Sequence, residues 1–191
     1  MIETLNNHWH DVFQNATPYA PDVRQANAHR WARFHALPGS KRYPDGEAEY
    51  AIVLSRHNAL LDALARGRDV FLVYSLFNDF QASSRRLQVP PYAPGGSHYW
   101  MSFLSSEPDE TPPSYCHLFA AHLPWRAGAV DRVLRAVARE DAHNVFLVSP
   151  GTRWFYHPYD GGMDLILSSP EERDAYKQTY AAWLSQHPAG W

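Results

Sequence analysis

The order of apolar patterns predicts an α+β fold, a mainly antiparallel sheet of about six strands with helices packed on it. Three observations carry that prediction. Strand-like runs arrive in blocks of three and do not alternate with helices. Four segments repeat their apolar residues at helical spacing. No G-x-G-x-x-G follows a strand, which argues against a doubly wound nucleotide-binding sheet. The predicted order is α-α-β-β-β-α-β-β-β-α, in one globular domain spanning residues 1–191.

Ile2, Leu5, Trp9, Val12 and Phe13 form one stripe of a helix over residues 2–15. His8 and His10 flank Trp9 and are placed beside the stripe. As an H-x-H pair they are poor metal ligands, because helical residues two apart point in different directions. Thr17-Pro18 and Ala20-Pro21 break the helix. Trp31, Phe34 and Leu37 recur every third residue, which suggests a short helix or turn, and Pro38 to Gly46 is bracketed by turn formers.

Residues 47–66 give the clearest helix, with Tyr50, Val53, Leu54, His57, Leu60, Leu61 and Leu64 on one face and Gly67 placed to end it. His57, inside the stripe, reads as a core histidine with one hydrogen-bond partner. The continuous apolar run from Asp69 to Phe77 reads as a central strand covered on both faces. Residues 81–97 form a long loop, of the kind that is functional when present. His98–Leu104 and Tyr115–Leu123 complete a meander around an acidic turn from Pro108 to Pro113.

A helix over residues 126–140 turns Arg132, Arg135 and Arg139 outward, and Asn144–Val148 is a second buried strand. Arg153 to Leu167 reads as a β-hairpin: an aromatic strand, a tight turn at Asp160-Gly161-Gly162 and an aliphatic strand. Ser168-Ser169-Pro170-Glu171-Glu172 then starts a last helix, with a hydroxyl cap, a first-turn proline and acids at the positive dipole end. That helix is expected to run to about His187 and to bury Tyr176, Tyr180, Trp183 and Leu184.

Composition narrows the function. Apolar residues at 45% and charged residues at 19% describe a globular chain. Net charge is -3 and the pI about 6.4, without the basic excess of a general nucleic-acid binder. Seven Trp and eleven Tyr suit a core that reaches the surface as a recognition face. The eleven His read first as a weakly basic, solvated surface. The single Cys116 excludes an internal disulfide and a Cys-rich zinc module, and fits a reducing cytoplasm. The first residues lack a basic segment followed by an apolar one, so no secretory signal is expected. The apolar run Val70–Phe77 is too short to cross a membrane as a helix.

Candidate chemistry centres on the hairpin. With Asp160-Gly161 as the turn, His157 faces Asp164; with Gly161-Gly162 as the turn, His157 faces Ile166 and Tyr159 faces Asp164. In the first register a His–carboxylate pair could act as an oriented base. It could also supply two metal ligands with Asp160 near, further ligands coming from Asp79 or His98. The plainer alternative is an ion pair that fixes register. Trp154, Tyr156 and Tyr159 are the rings expected to form a binding face. Arg24, Arg30, Arg33, Lys41 and Arg42 make the one basic segment, with no carboxylate between Arg24 and Arg42. It reads either as a site for a small anion or nucleotide or as a set of partners for Asp45, Glu47 and Glu49. G-x-S-x-G, H-E-x-x-H and the P-loop spacing are all missing. Cys116 and His117 are adjacent strand residues that face opposite ways, so they are not a dyad.

The stretch Tyr156-His-Pro-Tyr-Asp-Gly-Gly-Met-Asp-Leu-Ile166, with Tyr176 and Trp183 in the helix after it, resembles the C-terminal part of an uncharacterised bacterial domain family. Its members carry a Y-x-P-Y-D-x-x-G-x-D hairpin, and the turn here is one residue shorter. Arg33-Phe-His-Ala-Leu-Pro-Gly-Ser-Lys-Arg-Tyr43, with Arg56-His-Asn58, looks like a second recurrent pattern. The resemblance carries no activity. The expected function is therefore a cytoplasmic, non-enzymatic domain, immunity-like or accessory, that binds another protein through an aromatic face and needs no cofactor. The alternatives are a small hydrolase or metal-dependent enzyme using His157 and Asp164, and an anion or nucleotide binder using Arg30, Arg33, Lys41 and Arg42. Neither membrane nor nucleic acid is an expected partner.

Overall fold

Strands whose residues are apolar on both faces need a layer on each side, and the chain supplies two. A computed structural model describes residues 1–14, 16–79, 87–105 and 111–184. Its helices are α1 (Ile2–Phe13), α2 (Ala20–Ala26), α3 (Glu47–Ala65), α4 (Asp131–Ala138) and α5 (Pro170–Thr179). Its strands are β1 (Trp31–His35), β2 (Val70–Asn78), β3 (His98–Leu104), β4 (Tyr115–Leu123), β5 (Phe146–Val148), β6 (Phe155–Tyr159) and β7 (Gly162–Ile166). They form one sheet in the order β1-β7-β6-β5-β2-β4-β3. Every pairing is antiparallel. The class is the α+β arrangement expected from sequence, with one strand more.

The two faces are read directly from strand alternation. Phe71 and Val73 of β2 join Phe146, Phe155 and Ile166 under Leu5, Trp9 and Phe13 of α1 and Val23 of α2. Leu72 and Tyr74 point the other way, joining Phe34, Leu147, Tyr156 and Leu165 under Leu60, Leu61 and Leu64 of α3, Val133 and Val137 of α4, and Tyr176 of α5. Both neighbours in a strand are buried, which is why these runs lack a polar face. Leu5, Phe34, Phe71, Leu72 and Tyr156 are fully enclosed.

The extra strand is β1. Its apolar residues recur at a spacing that suits a turn, yet its burial alternates: Ala32 and Phe34 are buried, and Trp31, Arg33 and His35 face the other side. Pairing with β7 decides the outcome. Pro21 also acts differently from expectation. It occupies the first turn of α2, where a missing N–H is harmless, so it starts a helix and does not simply end one. His8 is buried on the α1 stripe, not beside it. Both α4 and α5 are shorter than the apolar pattern predicts, and α5 gives way to a single turn at Ala181–Trp183. Residues 81–86 of the expected long loop, 108–110 of the expected acidic turn and 185–187 of the expected last helix lie outside the described residues. Among the described residues, no helix is long and apolar enough to cross a membrane.

Candidate functional site

The hairpin turns at Asp160-Gly161, so Tyr159 pairs with Gly162, His157 with Asp164 and Phe155 with Ile166. β1 extends these pairs into rows: Trp31–Ile166–Phe155, Arg33–Asp164–His157 and His35–Gly162–Tyr159. Gly162 is required in the last row. A Cβ there would lie 2.0 Å from the carbonyl oxygen of Phe34. The narrow glycine lets β1 and β7 close behind Tyr159.

Asp164 stands between two possible partners and takes the guanidinium. Arg33 donates from Nε to Oδ1 and from Nη2 to Oδ2, both at 2.8 Å, and Trp31 Nε1 donates to Oδ1 at 2.9 Å. Arg24 stands 3.6 Å from Oδ2. Two fixed parallel bonds outcompete a single imidazole bond. The expected dyad is therefore neighbourly in register but not hydrogen-bonded. Among the described residues the imidazole of His157 has no hydrogen-bond partner. Its ring lies between those of Phe155 and Tyr159, nearly parallel to both, with centroids 6.5 and 6.4 Å away. Burial pushes its pKa down to about 4, against the pull of Asp164 and with the help of Arg33 and Arg24. The imidazole is neutral at pH 7. Burial likewise raises the Tyr159 hydroxyl to about 12.

His157 and Tyr159 form a wall of a cleft of about 600 Å³ at the hairpin tip. Pro158, Asp160, Arg42, Glu140, His143, Tyr19 and Phe77 complete the part that matters here. That volume is ordinary for a ligand pocket. Arg42 Nε donates to Asp160 Oδ2, and its Nη2 lies 4.0 Å from Glu140 Oε1. The exposed Tyr43 donates its hydroxyl to Glu140 at 3.3 Å and lies under the Arg42 guanidinium, 5.3 Å from its centroid. Tyr19, Tyr43 and Phe77 are 38%, 47% and 42% exposed, so the rim is aromatic and wet. A smaller cleft of about 330 Å³ on the other side of Tyr159 and Asp160 is lined by Arg33, His35, Ser40 and Arg42.

Asn144 places the Tyr19 side of this cleft. The Ala20 N–H donates to its Oδ1 at 2.9 Å, while its Nδ2 donates to Pro18 O at 3.1 Å and Ser75 Oγ at 2.9 Å. One buried amide thus ties the start of α2 to β2 and β5. Tyr19, Phe77, Glu140, His143 and Asn144 escape a reading of the sequence, because they come from separate segments that converge only after the sheet forms.

Several expected site residues serve the fold. Trp154 and Tyr156 are buried and offer no surface to a partner. Tyr156 points into the α3 layer, where its hydroxyl lies 2.6 Å from His57 Nδ1. His57 is the core histidine with one partner that its position predicts, and burial lowers its pKa to about 3. Arg30 is buried. It donates to the carbonyls of Arg153 and Leu167 at 2.9 and 2.8 Å and to Asn27 Oδ1, so it ties a loop together. Lys41 pairs with Glu49 at 2.6 Å and Asp45 at 3.7 Å, while Glu47 takes Arg135. The basic segment divides: Arg24 and Arg33 share Asp164, and Arg33 and Arg42 line the smaller cleft. Arg30 and Lys41 are held by carbonyls and carboxylates elsewhere, so the four candidates do not all meet in one cleft. Asp79 and His98 are exposed, and among the described residues no three His, Cys, Asp or Glu side chains group as metal ligands. Cys116 is packed against the core, and burial raises its thiol to about 11.

No curated protein and no solved structure matches this chain. A family model matches residues 19–188, which include the hairpin, the cleft and every strand, and the chain belongs to that family, described as a domain of unknown function, DUF3885.

Proposed function

We propose that this chain is a protein-binding module, of an immunity-like or accessory kind in a cytoplasmic setting, and that its docking face is the cleft at the tip of β6–β7. One observation carries the reading: the exposed rings Tyr19, Tyr43 and Phe77 gather around a concave site that already holds Arg42 and Tyr159. Tyr, aromatic rings in general and Arg are the residues that dominate binding energy at protein interfaces. The face differs from the one the hairpin sequence suggests. It uses the rim around the hairpin tip and leaves Trp154 and Tyr156 to the core.

The occupant is a loop of another protein that presents a basic side chain beside an apolar one. The charged groups of the lining are Arg42 against Glu140 and Asp160, a net charge of -1 in a chain of net charge -3. A cation entering between Tyr19 and Phe77 meets exposed rings as well as carboxylates, while the Tyr159 ring already carries the Arg33 guanidinium, 4.7 Å from its centroid. A phosphate would meet the two carboxylates. The neutral His157 offers one donor and one acceptor at the cleft wall, and no bond-breaking step is assigned to it.

Selection of a random peptide library displayed on phage tests this. Recovered binders are expected to carry Lys or Arg next to an aromatic or aliphatic residue. Their affinity is expected to fall at least about tenfold in Tyr19→Ala/Phe77→Ala and in Asp160→Asn, and to persist in Lys41→Ala. Binders without a basic residue, or binders indifferent to those substitutions, overturn the reading.

A further inference from the structure

A second polar constellation lies on the opposite face of the sheet from Phe77, where β2, β4 and β3 run side by side. Ser102 and His117 are direct cross-strand partners, and Asn78 is diagonal to His117 across β2. Ser102 Oγ lies 2.7 Å from His117 Nδ1, His117 Nε2 lies 2.9 Å from Asn78 Oδ1, and the Tyr99 hydroxyl lies 2.7 Å from Ser102 Oγ. A strand would normally send residues three apart to opposite faces. Here the register shift between Tyr99 and Met101 inserts one residue, Trp100, and brings Tyr99 onto the face of Ser102. Bulges re-aim side chains in this way, and they concentrate beside active sites.

The polarity of the chain follows from the donors. With Asn78 Oδ1 as the acceptor, the Nε2–H tautomer of His117 donates to it and leaves Nδ1 to accept. Ser102 must then donate to Nδ1, and Tyr99 donates to Ser102. A hydroxyl hydrogen-bonded to an imidazole that a third group orients is the geometry of an activated nucleophile. His117 is fully buried, Ser102 is half-buried and Tyr99 is 43% exposed, so the chain leads from the interior to solvent.

We infer that Ser102 is a reactive serine, with His117 as its base and Asn78 as the residue that orients His117, and that it accepts acyl groups from small esters. Ser102 Oγ attacks the carbonyl carbon, and its proton passes to His117 Nδ1. The C–O bond to the leaving alcohol breaks, and the alcohol takes that proton. Water then repeats the sequence on the acyl-serine: its proton goes to Nδ1 and on to Oγ, and its oxygen leaves in the carboxylic acid. Asn78 holds the imidazole in place, and with an activated ester such as p-nitrophenyl acetate the good leaving group makes acylation faster than hydrolysis of the acyl-serine.

The whole chain is incubated with a fluorophosphonate probe, and with p-nitrophenyl acetate, and the modified residue is located by mass spectrometry. Expected are stoichiometric labelling at Ser102 and a burst of p-nitrophenol of about one equivalent. His117→Gln should slow labelling by about 100-fold or more, and Tyr99→Phe by less. Labelling spread over several serines of the folded wild type, or none at Ser102, overturns the inference. Because that localisation is made on wild-type protein, it decides the matter even if Ser102→Ala does not fold. A chain that labels at Ser102 but selects no peptides would separate this inference from the docking proposal.

Discussion

Asp164 gives both carboxylate oxygens to Arg33, at 2.8 Å each, and none to the His157 that faces it across the hairpin. The choice makes Asp164 a member of the fold and leaves His157 as a neutral wall of the cleft. It also fixes how three strands meet, since Arg33 is on β1, Asp164 on β7 and His157 on β6.

Removing one partner of that pair exposes its cost. Asp164 is 5% exposed, so Asp164→Asn takes from the Arg33 charge one of its two bonds to this side chain, and the opposing negative charge, in a poorly solvated place. A loss of about 3 kcal/mol in urea unfolding is expected. The double variant Asp164→Leu/Arg33→Met should lose less than the sum of its single variants, because no buried charge is left without a partner.

Acid should unfold the protein through its histidines. Burial holds His157 at about 4 and His57 at about 3, both below the ordinary value of 6.5. Between the unfolded and folded values the unfolded chain binds the proton and the folded chain does not, so stability falls as pH falls. For His157 that window runs from pH 6.5 down to about 4, and for His57 it runs on to about 3. Each contributes a slope of up to about 1.4 kcal/mol per pH unit inside its window. Urea unfolding at pH 7, 5.5 and 4 should show this decline, and His157→Gln should remove one proton's share of it between pH 6.5 and 4.

Much of the architecture could be read before any strand was paired. Ser169 accepts the Glu172 N–H at 3.2 Å, as a hydroxyl followed by Pro and two acids predicts. His57 occupies the helical stripe that makes it a core residue, and the run from Val70 onward alternates between two buried faces. These features depend on neighbours within a few residues. β1 was not legible, because its apolar spacing fits a turn and only its pairing with β7 makes it a strand. The cleft was hidden for the same reason: Tyr19, Arg42, Phe77, Glu140 and His157 meet through the order of strands in the sheet. The rings of Trp154 and Tyr156 were visible, but alternation along β6 and burial under α3 and α4 sent them inward.

Gly162 should be intolerant of any side chain. An added Cβ would lie 2.0 Å from Phe34 O and 3.0 Å from His35 Cα, both backbone atoms that the β1–β7 pairing holds in place. Gly162→Ala must either push β1 away from β7 or break the hairpin, so a loss of at least about 4 kcal/mol, or failure to fold, is expected. Gly95→Ala is the control, with nothing within 4 Å of its Cβ, and should stay within about 0.5 kcal/mol of the parent. Thermal unfolding followed by circular dichroism distinguishes the two.

Asn144 joins stability to the cleft, so its substitution should affect both. Asn144→Ala removes the acceptor of the Ala20 N–H and the donor to Pro18 O and Ser75 Oγ. The orphaned groups are buried, and a loss of about 2–3 kcal/mol follows. The segment from Pro18 to Ala20 is then no longer tied to β2 and β5, and Tyr19 loses its fixed place on the rim. Asn144→Asp keeps the acceptor for Ala20 but gives up both donated bonds. It should therefore hold the start of α2 better than alanine does, while destabilising the core by burying a charge. Amide hydrogen exchange at Ala20 reads the first effect and urea unfolding reads the second. Equal exchange at Ala20 in both variants would show that the side-chain oxygen of Asn144 does not anchor the helix.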